Sequence, residues 1–237
     1  MRLDVWLSQT QGISRTRAGN LIKTGGVKVN GRVTDKPSSE VGATDEIFVE
    51  DTLKYASLGG LKLENALRQF DVSVKDAVCL DVGAANGGFT DCLLKSGANK
   101  VYAVDLTIAF PEELAKDDRV ILYDNVNVKD LLTVLHDEQF DFICADLSFI
   151  SLSAVFPILF PLLKKDGKAI LLFKPQFEVG RKALPKSGVV RDAKAIEKAL
   201  LRCKQEAEAA GLRFAGGCFV PEIFPDKNKE RTLLFLK

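Results

Sequence analysis

The sequence predicts an α/β protein, in which a Rossmann-like doubly wound sheet follows a small α+β domain. From residue 78 onward, apolar runs of strand length alternate with helical segments, the pattern of a parallel sheet with crossover helices. The first run, residues 78–82, leads into the glycine-rich turn G-A-A-N-G-G of residues 83–88, which opens a helix. At such a turn the backbone of a doubly wound sheet comes close to a ligand.

The remaining elements of this larger part follow from the same alternation. A long helix is expected over residues 192–210, and the last two strands are expected to pair as a hairpin. The predicted strands cover residues 78–82, 100–106, 119–123, 140–147, 168–174, 214–220 and 232–236.

Length and composition exclude several classes of protein. The 237 residues, 46% of them hydrophobic, suffice for one full core and a small second unit. A net charge of +1 means that any nucleic-acid surface is a local patch. Five scattered cysteines and one histidine, His136 in a polar run, predict neither a metal site nor a catalytic histidine. No apolar run reaches about 18 residues, so we expect no membrane span and a cytoplasmic location.

Residues 1–52 are predicted to form the small domain. Two short helices begin near Leu3 and Ser14, with Ser14 as the N-cap of the second. An Asn-Gly pair between alternating apolar and polar residues predicts a hairpin over residues 27–33, and residues 46–50 supply a further strand. The pattern predicts a helix-helix-hairpin module.

A linker is predicted over residues 53–60, where periodicity is lost and two glycines follow. The larger domain then covers residues 61–237 and opens with an amphipathic helix over residues 61–70. Lys62 stands in the first turn of that helix, where its charge is mismatched to the helix dipole, which hints at another role.

Basic residues are concentrated on the second helix and the hairpin of the small domain. Between residues 15 and 36 the one acidic residue is Asp35. Such a cluster can neutralise phosphates, although a solvated helix face explains the charge equally well. The candidate RNA-binding residues are Arg2, Arg15, Arg17, Lys23, Lys28 and Arg32.

The glycine-rich turn is also a way to hold dinucleotides and phosphates. Because it does not read G-x-G-x-x-G and no G-K-[ST] follows, a nucleoside without phosphates is favoured, and the candidate cofactor is S-adenosylmethionine. Asp105 is placed to accept both hydroxyls of a ribose, and Asp124 to bind an adenine amino group, although a turn-forming role explains Asp124 nearly as well. The candidate cofactor-binding residues are Asp81, Gly83, Asn86, Gly87, Gly88, Phe89, Asp105 and Asp124.

Asp146 and Lys174 each close an apolar strand, where a charge is expected only if it is paired or functional. An ion pair at the rim of the sheet is the structural alternative. With Lys62 and Glu230 the set becomes two lysines and two carboxylates. That composition suits deprotonation of a poor acid, such as a ribose hydroxyl, for attack on an electrophilic methyl group.

Separated motifs carry a resemblance to a known family. The segments of residues 2–4, 14–18 and 26–33 look like an S4-like RNA-binding domain. The larger domain resembles an FtsJ-like methyltransferase, and together they are similar to the TlyA family, whose members often carry the name haemolysin. The motifs are Y-A-S-L-G-G-L-K-L at 55–63, D-V-G at 81–83 with G-G-F-T-D-C at 87–92, D-L-S-F-I-S-L at 146–152, K-P-Q-F-E-V-G at 174–180 and G-V-V-R-D at 188–192.

The resemblance implies an activity and a set of roles. Members of this family methylate a ribose 2′-oxygen of ribosomal RNA, on a cytidine, with ribosomal RNA or ribosomal subunits as partners. By that resemblance the catalytic tetrad is Lys62, Asp146, Lys174 and Glu230, with Lys174 closest to the 2′-hydroxyl and the others setting its charge and orientation.

Two other functions were weighed against this one. The run that follows Asp105 departs from the family pattern, so an RNA- or ribosome-binding factor with a degenerate cofactor site is the alternative. Membrane lysis follows only from the haemolysin name, since the sequence lacks a long apolar span and an amphipathic helix of membrane type.

Overall fold

Ten strands and nine α-helices make up the computed structural model, which describes residues 1–181, 183–221 and 227–237. The strands are β1 (Val27–Val29), β2 (Arg32–Val33), β3 (Ile47–Val49), β4 (Val78–Val82), β5 (Lys100–Asp105), β6 (Val120–Asp124), β7 (Phe140–Ala145), β8 (Leu163–Phe173), β9 (Arg213–Phe219) and β10 (Arg231–Leu236). The helices are α1 (Leu3–Gln11), α2 (Arg15–Lys23), α3 (Gly59–Gln69), α4 (Gly88–Lys95), α5 (Glu112–Ala115), α6 (Leu131–Val134), α7 (Phe156–Leu162), α8 (Pro175–Glu178) and α9 (Ala193–Ala209).

The N-terminal unit packs α1 and α2 against a three-stranded sheet in the order β2-β1-β3. The Ser14 hydroxyl accepts a hydrogen bond from the Arg17 amide at 3.2 Å, which confirms the predicted N-cap. Asn30 and Gly31 both have positive φ, as a tight hairpin turn requires, and β1 and β2 pair in antiparallel fashion around them. The predicted module is confirmed in its local structure.

The larger sheet has seven strands in the order β6-β5-β4-β7-β8-β10-β9. The strands from β6 to β8 are parallel, and β10 runs antiparallel to both of its neighbours. The chain moves from β4 outward to β6 and then returns to place β7 on the other side of β4. The switch in strand order therefore lies between the ends of β4 and β7, where ligands bind in such sheets.

Alternate residues of the central strands enter two separate cores, one on each face of the sheet. Leu80 and Val82 of β4 pack with residues of α6, α7 and α9, while Cys79 packs with residues of α3 and α4. Because both faces are covered by helices, these strands read as continuous apolar runs rather than alternating ones. The doubly wound fold class is thus confirmed.

One strand begins earlier than predicted. The sequence places the start of β8 at residue 168, but Leu163 already pairs with Phe140. Lys164 and Lys165 and the positive-φ residue Asp166 follow Leu163, and the pairing register shifts beside them. These charged residues interrupt the apolar run, so the sequence pattern does not show where the strand begins.

The segment predicted as a linker is largely part of the structured core. Tyr55 is buried and packs with α3 and α4, buried Ala56 donates its amide to Asp91 of α4 at 2.8 Å, and α3 already begins at Gly59. Gly60 has no room for a side chain because a Cβ there would overlap the Tyr55 ring. The glycines that looked like a flexible connection permit close packing instead.

The described residues contain no group of three or more side chains able to hold a metal ion. No helix in the described ranges is long and apolar enough to cross a membrane. His136 lies in a turn with its side chain 70% exposed, as predicted for a solvated residue.

A buried carboxylate links β4 to α4. Asp81 is fully buried, and its Oδ2 accepts a 2.7 Å hydrogen bond from the Thr90 hydroxyl. Burial raises the pKa of Asp81 to about 7, and the neighbouring charge of Asp146 adds to this effect. The side chain therefore holds the helix to the strand.

We expect Asp81→Asn to remove a pH dependence of stability. Between the ordinary aspartate pKa and about 7, Asp81 is protonated in the folded protein and ionised in the unfolded chain. The free energy of unfolding of the wild type therefore falls as pH rises through this range. The variant should gain about 4 kcal/mol relative to the wild type from pH 4 to pH 7, then level off. Urea unfolding across this range measures the difference. The control is Asp166→Asn at an exposed position, and a flat Asp81→Asn difference contradicts the assignment.

Candidate active site

Four charged side chains from distant parts of the chain meet at the carboxyl end of the sheet. Asp146 follows β7, Lys174 follows β8, Lys62 lies on α3, and Glu230 precedes β10. Lys174 Nζ lies 2.5 Å from Asp146 Oδ1, and Lys62 Nζ lies 3.4 Å from Asp146 Oδ2 and 2.7 Å from Glu230 Oε2. The structure thus brings together all four residues predicted as a tetrad, in the order Lys174, Asp146, Lys62, Glu230.

The charges in this tetrad stabilise one another. Burial alone would raise the pKa of Asp146, but the charges of Lys62 and Lys174 outweigh it, and the pKa is lowered. Burial likewise opposes the charge on Lys62, but Asp146 and Glu230 raise its pKa. Asp146 is therefore held as a carboxylate and Lys62 as an ammonium group.

A second layer of contacts fixes the loop after Asp146. Glu178, 2% exposed at the end of α8, accepts hydrogen bonds from the Ser151 hydroxyl at 2.7 Å and the Leu152 amide at 2.8 Å. Lys174 Nζ also donates to Ser148 Oγ at 3.2 Å. Because α8 starts directly after Lys174, these contacts join the two strand ends into one unit.

Two cavities flank Asp146. The first, here called the tetrad cavity, is about 720 Å³ and is lined by Lys62, Asp146 and Glu230 together with the glycine-rich turn. The second, called the strand-end cavity, is about 650 Å³ and is lined by Asp105, Leu147 and the loop after β7. Asp146 lines both, whereas Lys174, 8% exposed, lines neither among the described residues.

The predicted cofactor-binding residues divide into two groups. Five of them line a cavity: Gly83, Asn86, Gly88 and Phe89 the tetrad cavity, and Asp105, again with Gly83, the strand-end cavity.

Three of them line neither cavity among the described residues: Asp81, Gly87 and Asp124. Asp81 is enclosed by the core beside Thr90. Gly87 gives room to Phe110 and Leu114, and Asp124 Oδ1 accepts a 2.8 Å hydrogen bond from the Ile108 amide. These three residues therefore line neither cavity, although Asp124 is exposed.

The candidate RNA-binding cations also differ in their surroundings. Arg2 and Arg15 both donate to Asp4, at 2.9 and 3.0 Å, and the Arg2 hydrogen bond is the largest cause of a strongly lowered Asp4 pKa. Arg17 is half-buried, pairs with Asp51 and donates to the Ala56 carbonyl at 2.8 Å. Arg17 thereby holds α2 to the chain entering the larger domain.

The three remaining cations, Lys23, Lys28 and Arg32, are all exposed. Lys28 Nζ lies 5.8 Å from the centre of the exposed Phe48 ring.

The N-terminal unit reaches the glycine-rich turn itself. The Ser14 hydroxyl donates to Asn86 Oδ1 at 3.3 Å, and Thr16 and Asn20 of α2 line the tetrad cavity. This contact could not be read from the sequence because it joins residues that are 72 positions apart.

The structure adds two residues that sequence reasoning missed. Phe149 is 91% exposed with φ of +66°, lines the strand-end cavity and packs on Phe177 at 5.2 Å between ring centres. A strained, exposed aromatic ring beside a cavity is a surface on which a ligand ring can stack. Gln176 lines the tetrad cavity, and its buried Oε1 has no hydrogen-bond partner among the described residues. Phe149 lies in the family motif at residues 146–152 and Gln176 in the one at residues 174–180, so the family resemblance could have pointed to both residues.

Family models and known proteins match both parts of the chain. Residues 1–47 match the S4 domain family, and residues 55–237 match the FtsJ-like methyltransferase family. The chain is 41% identical over 203 residues to Hemolysin A of Brachyspira hyodysenteriae, covering 84% of this chain and 85% of that protein. It is 34% identical over 223 residues to the 16S/23S rRNA (cytidine-2'-O)-methyltransferase TlyA of Mycobacterium tuberculosis, covering 93% and 83%.

Solved structures support the same fold. A Streptococcus thermophilus protein solved under a hemolysin name has a TM-score of 0.79 at 34% identity, covering 100% of this chain and 88% of its own. The 1,6-didemethyltoxoflavin-N1-methyltransferase of Burkholderia thailandensis, solved with S-adenosylhomocysteine, has a TM-score of 0.53 at 19% identity, covering 75% and 78%. The second likeness concerns the fold alone.

Sheet order, strand-end site and family matches together define the class of this protein: it is an enzyme, a methyltransferase of the Rossmann-like, FtsJ-like type. The S4 domain ahead of the methyltransferase domain narrows the class further. The chain belongs to the TlyA family. The family resemblance found in the sequence is thereby confirmed.

We expect Gly83→Ala to destabilise the enzyme more than an equally strained control. Gly83 has φ of +88°, and a Cβ there would lie 2.8 Å from the Asp146 carbonyl oxygen. Gly12 also has positive φ, but nothing lies within 4 Å of its missing Cβ. Both substitutions carry backbone strain, and only Gly83→Ala adds an overlap that pushes β7 from β4, so it should cost about 2 kcal/mol more in urea unfolding. Equal losses would contradict the close approach.

Proposed function

We propose that this enzyme methylates a ribose 2′-hydroxyl of ribosomal RNA with S-adenosylmethionine as methyl donor. The observation that carries the proposal is Asp146, a carboxylate held between two lysines where two cavities meet. The charges fit the removal of a proton from a weakly acidic hydroxyl. The rRNA specificity and the choice of cytidine rest on the name of the Mycobacterium tuberculosis relative.

The strand-end cavity is suited to the cofactor. Its volume of about 650 Å³ is in the range of small-molecule sites, and it opens at the switch in strand order. Asp105 Oδ1 and Oδ2 accept hydrogen bonds from the Thr107 and Ala85 amides at 3.1 and 2.9 Å, and each oxygen keeps a lone pair for a ribose hydroxyl. Bound there, S-adenosylmethionine supplies an electrophilic methyl group on a sulfonium.

The tetrad then prepares the RNA hydroxyl. The hydroxyl enters between Asp146 and Ser148, and Lys174 Nζ, having released one of its own protons to solvent, accepts the hydroxyl proton. The deprotonated oxygen would then take the methyl group, and the carbon–sulfur bond of the sulfonium would break to leave S-adenosylhomocysteine. Asp146 stabilises the resulting ammonium, while Lys62 keeps Asp146 ionised and Glu230 holds Lys62 in place. We assign Lys174 as the proton acceptor, Asp146 as its orienting partner, and Lys62 and Glu230 as supports.

We expect Lys174→Ala to abolish methyl transfer and to leave RNA binding intact. The substitution removes the proton acceptor and one of the two cations that stabilise Asp146, while the exposed cations of the N-terminal unit are untouched. Transfer of labelled methyl groups from S-adenosylmethionine to ribosomal subunits measures the effect, with Lys165→Ala as matched control, an exposed lysine on β8, the strand that Lys174 follows.

Two results would count against the enzymatic assignment of the tetrad. Wild-type protein that binds the cofactor and ribosomal subunits but labels no subunit would favour an RNA-binding factor. Labelling that survives in Lys174→Ala would mean that a group other than Lys174 accepts the proton.

We further propose that residues 1–52 act as the RNA-binding unit and residues 61–237 as the catalytic unit. The exposed Lys28 and Arg32 on the hairpin, together with Lys23 at the end of α2, supply positive charge at one end of the N-terminal unit. Arg2, Arg15 and Arg17 also carry carboxylate partners, so their contribution to the charge available to RNA is reduced.

Arg32→Ala is expected to weaken binding to ribosomal RNA and to lower the slope of log affinity against log salt by about 1, as loss of one phosphate contact requires. Arg213→Ala, an exposed arginine of the larger domain, is the control. Filter binding over a salt series measures both. An unchanged slope in Arg32→Ala would place the phosphate contacts on another surface.

A further inference from the structure

A second exposed aromatic ring stands at the rim of the tetrad cavity. Phe219 ends β9 with 57% of its surface exposed, and it lines the cavity with Lys227 and Glu230. One face of the ring is covered by the Arg231 guanidinium, 4.6 Å from the ring centre, and Arg231 is held in turn by Glu197 at 2.9 Å. The mechanism proposed above makes no use of this ring.

The position of Phe219 relative to the tetrad is fixed by the sheet. Phe219 pairs with Arg231 across the antiparallel strands, and the Val220 amide donates to the Glu230 carbonyl at 3.1 Å. The tetrad contacts run from Lys174 outward to Glu230, so Phe219 lies just beyond their outer end. A nucleotide whose ribose is at Lys174 would therefore place its neighbour in the strand toward Phe219.

The rim beside the ring is cationic and anchored. Lys227 and Lys229 line the cavity, and Asn228 between them accepts from the Val190 amide at 2.8 Å and donates to the Gly188 carbonyl at 2.9 Å. An aromatic face next to lysines on a fixed segment suits single-stranded nucleic acid, which stacks its bases on rings and places its phosphates near cations.

We propose that Phe219, backed by Arg231 and flanked by Lys227, forms a binding subsite for the RNA nucleotide adjacent to the one that is methylated. The base stacks on the open face of the ring and its phosphate lies near Lys227. The subsite rests on the proposed function, since it presumes an RNA strand in the tetrad cavity. It adds recognition of the flanking nucleotide to a site that otherwise contacts the reacting ribose.

The test compares Phe219→Ala with Phe219→Tyr and with Leu201→Ala, a residue on α9 that is also 57% exposed and lines neither cavity among the described residues. Two quantities are measured: the KM for ribosomal subunits in methyl transfer, and the affinity for a short single-stranded RNA by fluorescence anisotropy. Phe219→Ala should raise KM and weaken RNA affinity by about tenfold. Phe219→Tyr and Leu201→Ala should stay close to wild type, and S-adenosylmethionine affinity should be unchanged in all three.

The outcomes separate the subsite from the proposed function. Phe219→Ala with the same KM and RNA affinity as Leu201→Ala overturns the subsite, whatever the activity. Wild-type protein without transfer overturns the proposed function, and the anisotropy measurement then still decides whether Phe219 binds RNA. A raised KM that Phe219→Tyr does not rescue overturns stacking as its cause. Unchanged melting temperatures confirm that the variants are folded.

Discussion

The candidate active site depends on keeping Asp146 ionised in a largely enclosed position. A buried carboxylate without partners is unstable, and here Lys174 and Lys62 provide them from opposite sides at 2.5 and 3.4 Å. Because each lysine comes from a different element, the ion cluster holds α3, β7 and β8 in one arrangement, and Glu230 adds β10 through Lys62. Loss of one charged partner leaves the remaining side chains with uncompensated charge. The same contacts therefore set both the position of Asp146 and its ionised state.

Much of this arrangement could be predicted from the sequence because strand ends in a parallel sheet share one edge. Asp146 and Lys174 are identified from their places after apolar strands, Lys62 from its mismatch to the helix dipole and Glu230 from the family resemblance, and the structure brings all four together. The strand boundaries agreed within one or two residues except for β8, where charged residues interrupt the apolar run. Strand positions follow from local apolar patterns, which is why the strand boundaries could be predicted.

The direction in which each predicted glycine and acid faces could not be read from the sequence, since it depends on packing against residues far along the chain. Glycine marks a close approach but not its partner: Gly60 makes room for Tyr55, and Gly87 for Phe110 and Leu114. Asp81 has the expected position at the end of β4, yet it points into the core. The direction of a side chain depends on tertiary packing, which a local sequence pattern does not reveal.

The contact between the two domains gives a physical reason for joining them in one chain. Ser14 caps α2 and also donates to Asn86 of the glycine-rich turn, while Arg17 binds the segment that leads into the larger domain. Thr16 and Asn20 complete the wall of the tetrad cavity. Under the proposed function, an RNA bound by the exposed hairpin would be held by the unit that also borders the tetrad cavity, so binding by the N-terminal domain would help to place the reacting ribose.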